Sequence, residues 1–289
     1  MFQKLLKKIE EVSNKGFVSA SEELIRFIDQ ADGFMELIVD IGTIPESIAH
    51  DSTEEKLFSK ASDAVLARAF REIGLQSSVL AERADSADVE AKSLQYGYRL
   101  VADAKAFRLS RTAKNQKDFK VGALSGWRKD ADFAVLCSPY FQYSRKSSQI
   151  YRQSLDNNVC LLSWEHLIYL LANKIKESNT VNLSPIWNFG KIYSSKINVE
   201  TAGKDCFVNE FNILFLDVVG EKKESFISAL EKQRDKIFDR GEVEKAYWDC
   251  QKEKIRRLSK DQAIDELIRA KKINEKISQI TRQTGGLFE

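Results

Sequence analysis

Two aspartates and a lysine fall at matching positions of a predicted β-hairpin. Residues 88–107 form two segments of alternating apolar and polar side chains, joined by a turn at 95–97. In the register centred on that turn, Asp88 lies opposite Asp103, with Cβ atoms roughly 5 Å apart. Lys105 shares a strand face with Asp103 because side chains alternate along a strand. The pattern predicts two carboxylates and one ammonium group in one place.

This set of groups suits metal-assisted hydrolysis of a phosphodiester. Two carboxylates so close repel each other unless a cation lies between them. Mg²⁺ takes oxygen ligands, keeps several waters and can also bind a phosphate oxygen. A neighbouring ammonium can then orient or activate one of the waters. The alternative is a surface ion pair, since Asp-x-Lys at a strand end is common by chance.

A basic segment follows the Asp-x-Lys pair. Residues 105–120 contain six cationic side chains and one acidic side chain, in a chain whose net charge is +2. Cations neutralise DNA phosphates, and Asn, Gln, Arg and Lys can pair with base edges in the major groove. Such a segment is typical of a local DNA-binding surface, with a solvated loop as the alternative. The candidate DNA-binding residues are Arg108, Ser110, Arg111, Lys114, Asn115 and Lys117.

Two further groups could contribute to the same site. Glu55 could reach a metal from a helix that begins near Ser52, but these two residues also have capping-box spacing. Asp118 and Lys120 form a second Asp-x-Lys, although Asp118 stands at a helix start and could equally be a cap. These residues are secondary candidates.

The segments around these residues predict a mixed α/β fold. Helical periodicity covers residues 1–40 and resumes at Thr53 up to a stop at Gly74. After the hairpin, the short apolar runs 133–137 and 159–162 alternate with helical segments, which favours parallel strands with helices packed on the sheet. We expect a mixed sheet flanked by helices, with helical N- and C-terminal additions.

Composition excludes several other classes of protein. The 289 residues include only two His, which excludes multi-His metal sites, and four separated Cys without a C-x-x-C, which argues against structural zinc. No apolar run approaches the roughly 20 residues needed to cross a bilayer. Gly-rich phosphate loops, Gly-x-Ser-x-Gly and His-Glu-x-x-His are also absent from the sequence. Reduced thiols and a cytoplasmic location are the expectation.

Several longer stretches resemble one known family, the HindIII-like type II restriction endonucleases of the PD-(D/E)xK superfamily. The resemblance is carried by Thr53–Ala61, Leu100–Lys105, Arg108–Lys120, Ser163–Leu167 and Glu244–Trp248. It spans most of the chain, and the match over 108–120 is the most specific.

The resemblance implies a function and a set of partners. It implies a Mg²⁺-dependent homodimer that cuts palindromic double-stranded DNA, paired in a bacterial cytoplasm with a cognate DNA methyltransferase and with no membrane. The family's target is AAGCTT, cut after the first A to leave 5′ overhangs with 5′-phosphates. The implied organisation is an N-terminal helical segment (1–50), a PD-(D/E)xK-type catalytic core (51–190) and a mainly helical C-terminal region packed on the core (191–289).

The resemblance also implies roles for individual residues. By position, the candidate catalytic residues are Asp88, Asp103, Lys105, Asp118 and Lys120. Asp88 and Asp103 are the implied metal ligands, and Glu55 is a weaker candidate. An acidic position of the family before the hairpin falls at Ala81, which makes the adjacent Glu82 another weak candidate. Asn115 and Lys117 lie in the segment expected to read the major groove.

Two other hypotheses compete with this interpretation. A DNA-binding protein with a vestigial site would bind without cutting, but the intact set of two aspartates and a lysine argues against it. A structure-selective repair nuclease on the same fold would cut according to DNA shape instead of sequence.

Overall fold

The computed structural model describes most of the chain, which divides into two compact units, Met1–Asp239 and Arg240–Glu289. The described residues are 1–80, 86–111, 116–144, 148–196 and 204–285. Glu82, Lys114 and Asn115 lie outside the described residues.

The first unit begins with four helices. The first helix buries one face, on which Leu5, Ile9 and Val12 lie, whereas Leu6 is only partly buried. The helices are α1 (Phe2–Val12), α2 (Phe17–Asp29), α3 (Phe34–Asp40) and α4 (Thr53–Glu72).

Helix α4 has the predicted start and stop. The Ser52 hydroxyl accepts a hydrogen bond from the Glu55 backbone N–H at 3.1 Å, which satisfies one of the free donors of the first turn. At the other end Gly74 has φ of 96°, a conformation that favours glycine, and the next N–H, that of Leu75, returns to the Phe70 carbonyl at 2.9 Å. The helix packs its apolar face against the first three strands.

The strands of the described residues form one five-stranded sheet in the order β1-β2-β3-β4-β5. The first three strands pair antiparallel, and β3, β4 and β5 pair parallel, which confirms the mixed α/β prediction. The strands are β1 (Gln76–Val79), β2 (Val89–Lys92), β3 (Arg99–Ala104), β4 (Phe133–Ser138) and β5 (Val159–Ser163). The sequence does not predict β1, because its polar residues at the sheet edge lack an apolar alternation.

The hairpin has the predicted register. Val89 pairs with Ala102, and Lys92 pairs with Arg99. One step further along the same register, Asp88 faces Asp103. A slip of one residue would place these two side chains on opposite faces of the sheet.

Helices cover the sheet and continue the chain. The sequence predicts a single helix through 119–127, but the chain forms two short helices because Lys120 adopts a left-handed conformation with φ of 51°. Ser163 caps the helix that follows β5. The elements are α5 (Gln116–Phe119), α6 (Val121–Trp127), a 3₁₀ turn (Tyr140–Gln142), α7 (Ile150–Asn157), α8 (Trp164–Ala172), α9 (Ser184–Trp187), α10 (Phe189–Tyr193), α11 (Lys204–Val219) and α12 (Lys223–Arg256).

The described residues of the second unit are helical apart from short connections at 257–259 and 271–272. It contains the C-terminal part of α12, then α13 (Lys260–Ala270) and α14 (Ile273–Gly285). Helix α13 begins with a complete capping box between Ser259 and Gln262. None of the helices in the described part of the chain is long and apolar enough to cross a membrane.

Candidate active site

Three aspartates from different elements meet at one end of the hairpin. Asp63 lies on α4, Asp88 immediately precedes β2, and Asp103 lies on β3. One carboxylate oxygen from each residue lies within 4.8 Å of the other two. The hairpin register, continued one residue beyond the Val89–Ala102 pair, brings Asp88 beside Asp103, and the packing of α4 against the hairpin adds Asp63. We call these three residues the aspartate cluster.

Two lysines face the aspartate cluster. The Lys105 Nζ lies 2.5 Å from the Asp103 Oδ2. The Lys60 Nζ lies 3.7 Å from the Asp88 Oδ1 and 3.9 Å from the Asp63 Oδ2, and it also donates to the Leu80 carbonyl at 3.4 Å. Because the three carboxylates outnumber the two ammonium groups, the group of five side chains can accept a further cation.

The cluster has a buried floor and an open side. Asp63 and Asp103 are 5% and 3% exposed, whereas the Asp88 side chain is 41% exposed. Burial raises the pKa of Asp63 well above its usual value, and the charges of Asp88 and Asp103 raise it further. Burial likewise raises the pKa of Asp103, although the neighbouring Lys105 opposes the shift. The two lysines therefore compensate the three carboxylates only in part, and solvent can reach the cluster from the side of Asp88.

The donor set fits a hard divalent cation. Mg²⁺ prefers carboxylate and water oxygens, and two or three carboxylates at one solvent-accessible edge match that preference. A cation at this place would supply the missing charge and lower the pKa of both buried carboxyls. The residues present therefore fit the metal that the sequence predicts.

The structure places Glu55 in a separate group. One oxygen of its carboxylate accepts from Arg108 Nη2 at 2.6 Å, and the other lies 3.2 Å from His50 Nδ1. Burial is the largest single influence and acts to raise the pKa of Glu55, but the hydrogen bonds from Arg108 and the Asp51 N–H, together with the charges of Arg108 and His50, lower it on balance. His50, Asp51 and Glu55 form a second cluster of possible metal ligands, distinct from the aspartate cluster.

The second Asp-x-Lys is divided between two environments. Asp118 forms an ion pair with Arg111, and its side chain is 12% exposed. Lys120 is exposed, and its charge is one of the influences that lower the pKa of Asp103. Among the described residues, Asp118 does not belong to the aspartate cluster.

The basic segment is anchored at its start and exposed further on. Arg108 Nη1 donates to the Pro45 carbonyl at 2.7 Å, and the Ser110 N–H donates to the Glu46 Oε1 at 3.2 Å. Arg111 is exposed and stacks its guanidinium over Phe107 at 5.7 Å. Lys117 is exposed as well. Hydrogen bonds thus fix the start of the segment, and the cationic side chains that follow are exposed to solvent.

Known proteins resemble this chain over almost its whole length. A protein-family model described as HindIII restriction endonuclease matches residues 14–283. The type II restriction enzyme HindIII of Haemophilus influenzae (strain ATCC 51907 / DSM 11121 / KW20 / Rd) is 45% identical over 280 residues, which cover 96% of this chain and 93% of that enzyme. The chain belongs to the HindIII restriction endonuclease family.

Membership of the HindIII family defines the class of activity. The chain is a homologue of a type II restriction enzyme, that is, of a site-specific deoxyribonuclease, and its chemistry is hydrolysis. The resemblance predicted from the sequence is confirmed. Within the described residues of this HindIII family member, the aspartate cluster is one of two groups of side chains that could hold a metal ion.

Asp63 and Lys60 are two site residues that the sequence motifs do not indicate. Both lie on α4 at positions that belong to its buried face. Lys60 falls between Leu57 and Ala61 in the apolar i, i+3, i+4 pattern, and Asp63 similarly precedes Leu66 in that pattern. A charged residue on the buried face of a helix needs a partner, and this is the signal that could identify both residues.

Proposed function

We propose that this protein is a Mg²⁺-dependent type II restriction endonuclease that cuts double-stranded DNA at AAGCTT after the first A. The products would carry four-base 5′ overhangs with 5′-phosphates. The observation that carries the proposal is the aspartate cluster, with carboxylate oxygens within 4.8 Å of one another, beside the Lys105 ammonium. Membership of the HindIII family supports the choice of target.

The three carboxylates are proposed to have different roles in holding the metal. Asp88 and Asp103 would hold the Mg²⁺, whose chemistry when bound is to polarise the scissile phosphate and to lower the pKa of a water. With a cation bound, Asp63 would be ionised, and its buried negative charge at the floor of the site would strengthen the attraction for the cation. Lys60 holds Asp63 and Asp88 in place through its contacts with both.

Lys105 stabilises the negative charge that develops on the attacking water and the phosphate during cleavage. Its ammonium is held by Asp103 at 2.5 Å, on the same strand face, so it can donate to the attacking water or to a phosphate oxygen. Water attacks the phosphorus and gives up a proton to solvent, the bond between phosphorus and the 3′ oxygen breaks, and the 3′ oxygen takes up a proton from solvent. The products are a 3′-OH and a 5′-phosphate, and the reaction needs no covalent enzyme intermediate.

The basic segment is proposed to bind the DNA. Arg111 is exposed and suited to phosphate contacts, and Asn115 and Lys117 are the proposed base-reading residues. Lys114 is a further proposed DNA contact. Arg108 and Ser110 anchor the start of the segment through Pro45 and Glu46. These hydrogen bonds hold the segment in position against residues 45 and 46.

Asp118 and Lys120 are proposed to act from the edge of the site. Asp118 orients Arg111 through their ion pair. Lys120 favours the ionised form of Asp103 through its charge, and its side chain reaches over the Trp127 ring at 6.0 Å.

The proposed partners follow from the geometry of a palindrome. One chain has one aspartate cluster in its described part, whereas both DNA strands must be cut. A homodimer with two-fold symmetry would present one site to each strand. In a bacterial cytoplasm, a cognate DNA methyltransferase would protect the host's own copies of the target.

A plasmid with one AAGCTT site tests the proposal. We expect the purified chain to linearise it with Mg²⁺ and not with EDTA, and the ends to read as cut after the first A. Asp103→Asn should bind the DNA and leave it uncut, whereas Asp156→Asn, on the exposed face of α7, should cut normally.

Other outcomes would support the competing hypotheses. Binding without Mg²⁺-dependent cutting would indicate a DNA-binding protein with a vestigial site. Cutting that follows branches or junctions instead of AAGCTT would indicate a structure-selective nuclease. Full activity of the Asp103→Asn variant would reject the assignment of the site.

A further inference from the structure

The backbone of Lys105 is held from both sides by hydrogen bonds. Its N–H donates to the Cys137 carbonyl at 2.7 Å, which extends the pairing of β3 with β4 by one residue. Its carbonyl accepts from the Trp164 indole Nε1 at 2.9 Å. Directly after this point the chain leaves the sheet.

The indole that makes this contact is buried and fixed. Trp164 is the first residue of α8 and is 2% exposed. The Ser163 cap fixes the start of α8, because its hydroxyl accepts from the His166 N–H. A buried Trp N–H needs an acceptor, and the Lys105 carbonyl supplies it.

Gly42 makes the room that this indole needs. A Cβ atom at position 42 would lie 2.9 Å from Trp164 Cδ1 and 2.9 Å from Pro139 Cγ. Both distances are too short for a Cβ contact, so a side chain here would force the indole or the proline ring out of its packed position. The Gly42 carbonyl also accepts from the Phe107 N–H at 3.0 Å, so the same segment holds the chain two residues after Lys105.

We propose that Trp164 is a positioning residue for Lys105, and that Gly42 admits its indole to the Lys105 carbonyl. The proposal rests on the proposed role of Lys105 in DNA cleavage. The Lys105 carbonyl marks the exit of the chain from the sheet, and the indole fixes the backbone there. The ammonium is thereby held beside Asp103, where the attacking water and the phosphate meet. Small displacements of a catalytic group slow a reaction strongly, even when binding is unchanged.

Trp164→Phe tests the proposal with a closely matched control. Phenylalanine removes the N–H donor and keeps an aromatic ring. The control is Trp187→Phe, since Trp187 is equally buried and its Nε1 donates one hydrogen bond, at 2.8 Å, to the Tyr98 hydroxyl away from Lys105. The measurements are the urea midpoint, the DNA Kd in EDTA and the single-turnover cleavage rate with Mg²⁺.

We expect Trp164→Phe to lower the single-turnover rate by about 10- to 100-fold with little change in Kd. Trp187→Phe should lose similar stability and keep its rate. Gly42→Ala is a second variant, and it should slow cleavage in the same way because it displaces the indole. Equal rates for both Phe variants would overturn the proposal, and so would a normal rate for Gly42→Ala.

Lys105→Ala separates this proposal from the proposed function. If Lys105→Ala cuts DNA at the full rate, the assigned role of Lys105 is wrong. If Lys105→Ala is inactive while Trp164→Phe matches Trp187→Phe, only the positioning role of Trp164 is wrong.

Discussion

Asp63 is the carboxylate that the structure adds to the two aspartates of the hairpin. Asp63→Asn removes a buried charge from the floor of the site and leaves the basic segment untouched. We expect Mg²⁺-dependent cleavage to fall by about 100-fold, since a group acting on the metal contributes several kcal/mol. DNA binding measured in EDTA should be retained. A normal cleavage rate would show that Asp88 and Asp103 suffice without it.

Glu165 and His166 make stability depend on pH in opposite directions. Burial raises the pKa of Glu165 to about 7, so the folded chain keeps a proton that the unfolded chain has already lost. The folding contribution of Glu165 therefore falls as pH rises from about 4.5 to 7. Burial lowers the pKa of His166 to about 4, so stability falls as pH drops from about 6.5 to 4.

Glu165→Gln isolates the first of these effects. In the wild type the Tyr140 N–H donates to the Glu165 carboxylate at 2.8 Å, and the glutamine side chain keeps an acceptor for this bond. The glutamine amide does not titrate. Between pH 5 and 8 we expect the wild type to lose roughly 2–3 kcal/mol relative to the variant. Urea unfolding at several pH values measures this. If the free energies of unfolding of the two proteins change in parallel with pH, Glu165 has an ordinary pKa. The contribution of His166 is the same in both proteins and does not affect their difference.

At the scale of single residues, the sequence predicts what is local. Asp103 and Lys105 are two apart on one strand, and Asp88 follows from the hairpin register, so their meeting could be predicted. Asp63 and Lys60 reach the same place only through the packing of α4 on the hairpin. That packing depends on the whole core, so spacing along the chain cannot define it.

The ion pair between Arg108 and Glu55 links the basic segment to the start of α4. The two side chains are 13% and 18% exposed, and the bond is 2.6 Å long. A double-mutant cycle with Arg108→Met and Glu55→Gln should give a coupling energy of about 1–2 kcal/mol in urea unfolding. The matched control is the pair Arg152–Asp156, with side chains 60% and 52% exposed. Its coupling should be below about 0.5 kcal/mol, and equal coupling of the two pairs would contradict the proposed anchor.

Elements with a strong pattern can be predicted from the sequence, and those without one cannot. The two strands of the hairpin and β4 and β5 carry apolar runs or alternation that the sequence displays. Strand β1 has the sequence Gln-Ser-Ser-Val and is a strand only because β2 is available to pair with it. The break at Lys120 depends on a left-handed residue that is not glycine, which helical periodicity does not indicate.

For the whole molecule, the palindromic target predicts two chains on each DNA duplex. The Asp103→Asn variant allows this to be measured without cleavage. Sedimentation of the variant with a duplex containing AAGCTT should give the mass of two 33.0 kDa chains and one duplex. One chain per duplex would contradict the proposed homodimer. The division of the chain at residues 50 and 190 stays a prediction, which expression of residues 51–190 alone can test.

Manganese can show whether the aspartate cluster holds the catalytic metal against DNA. Mn²⁺ takes the same oxygen ligands as Mg²⁺ and scatters X-rays anomalously. In crystals of the Lys105→Ala variant with AAGCTT duplex and Mn²⁺, we expect an anomalous peak within coordinating distance of Asp88 and Asp103, next to a phosphate. A peak only at His50, Asp51 and Glu55, or none at the aspartate cluster, would contradict the proposed metal site.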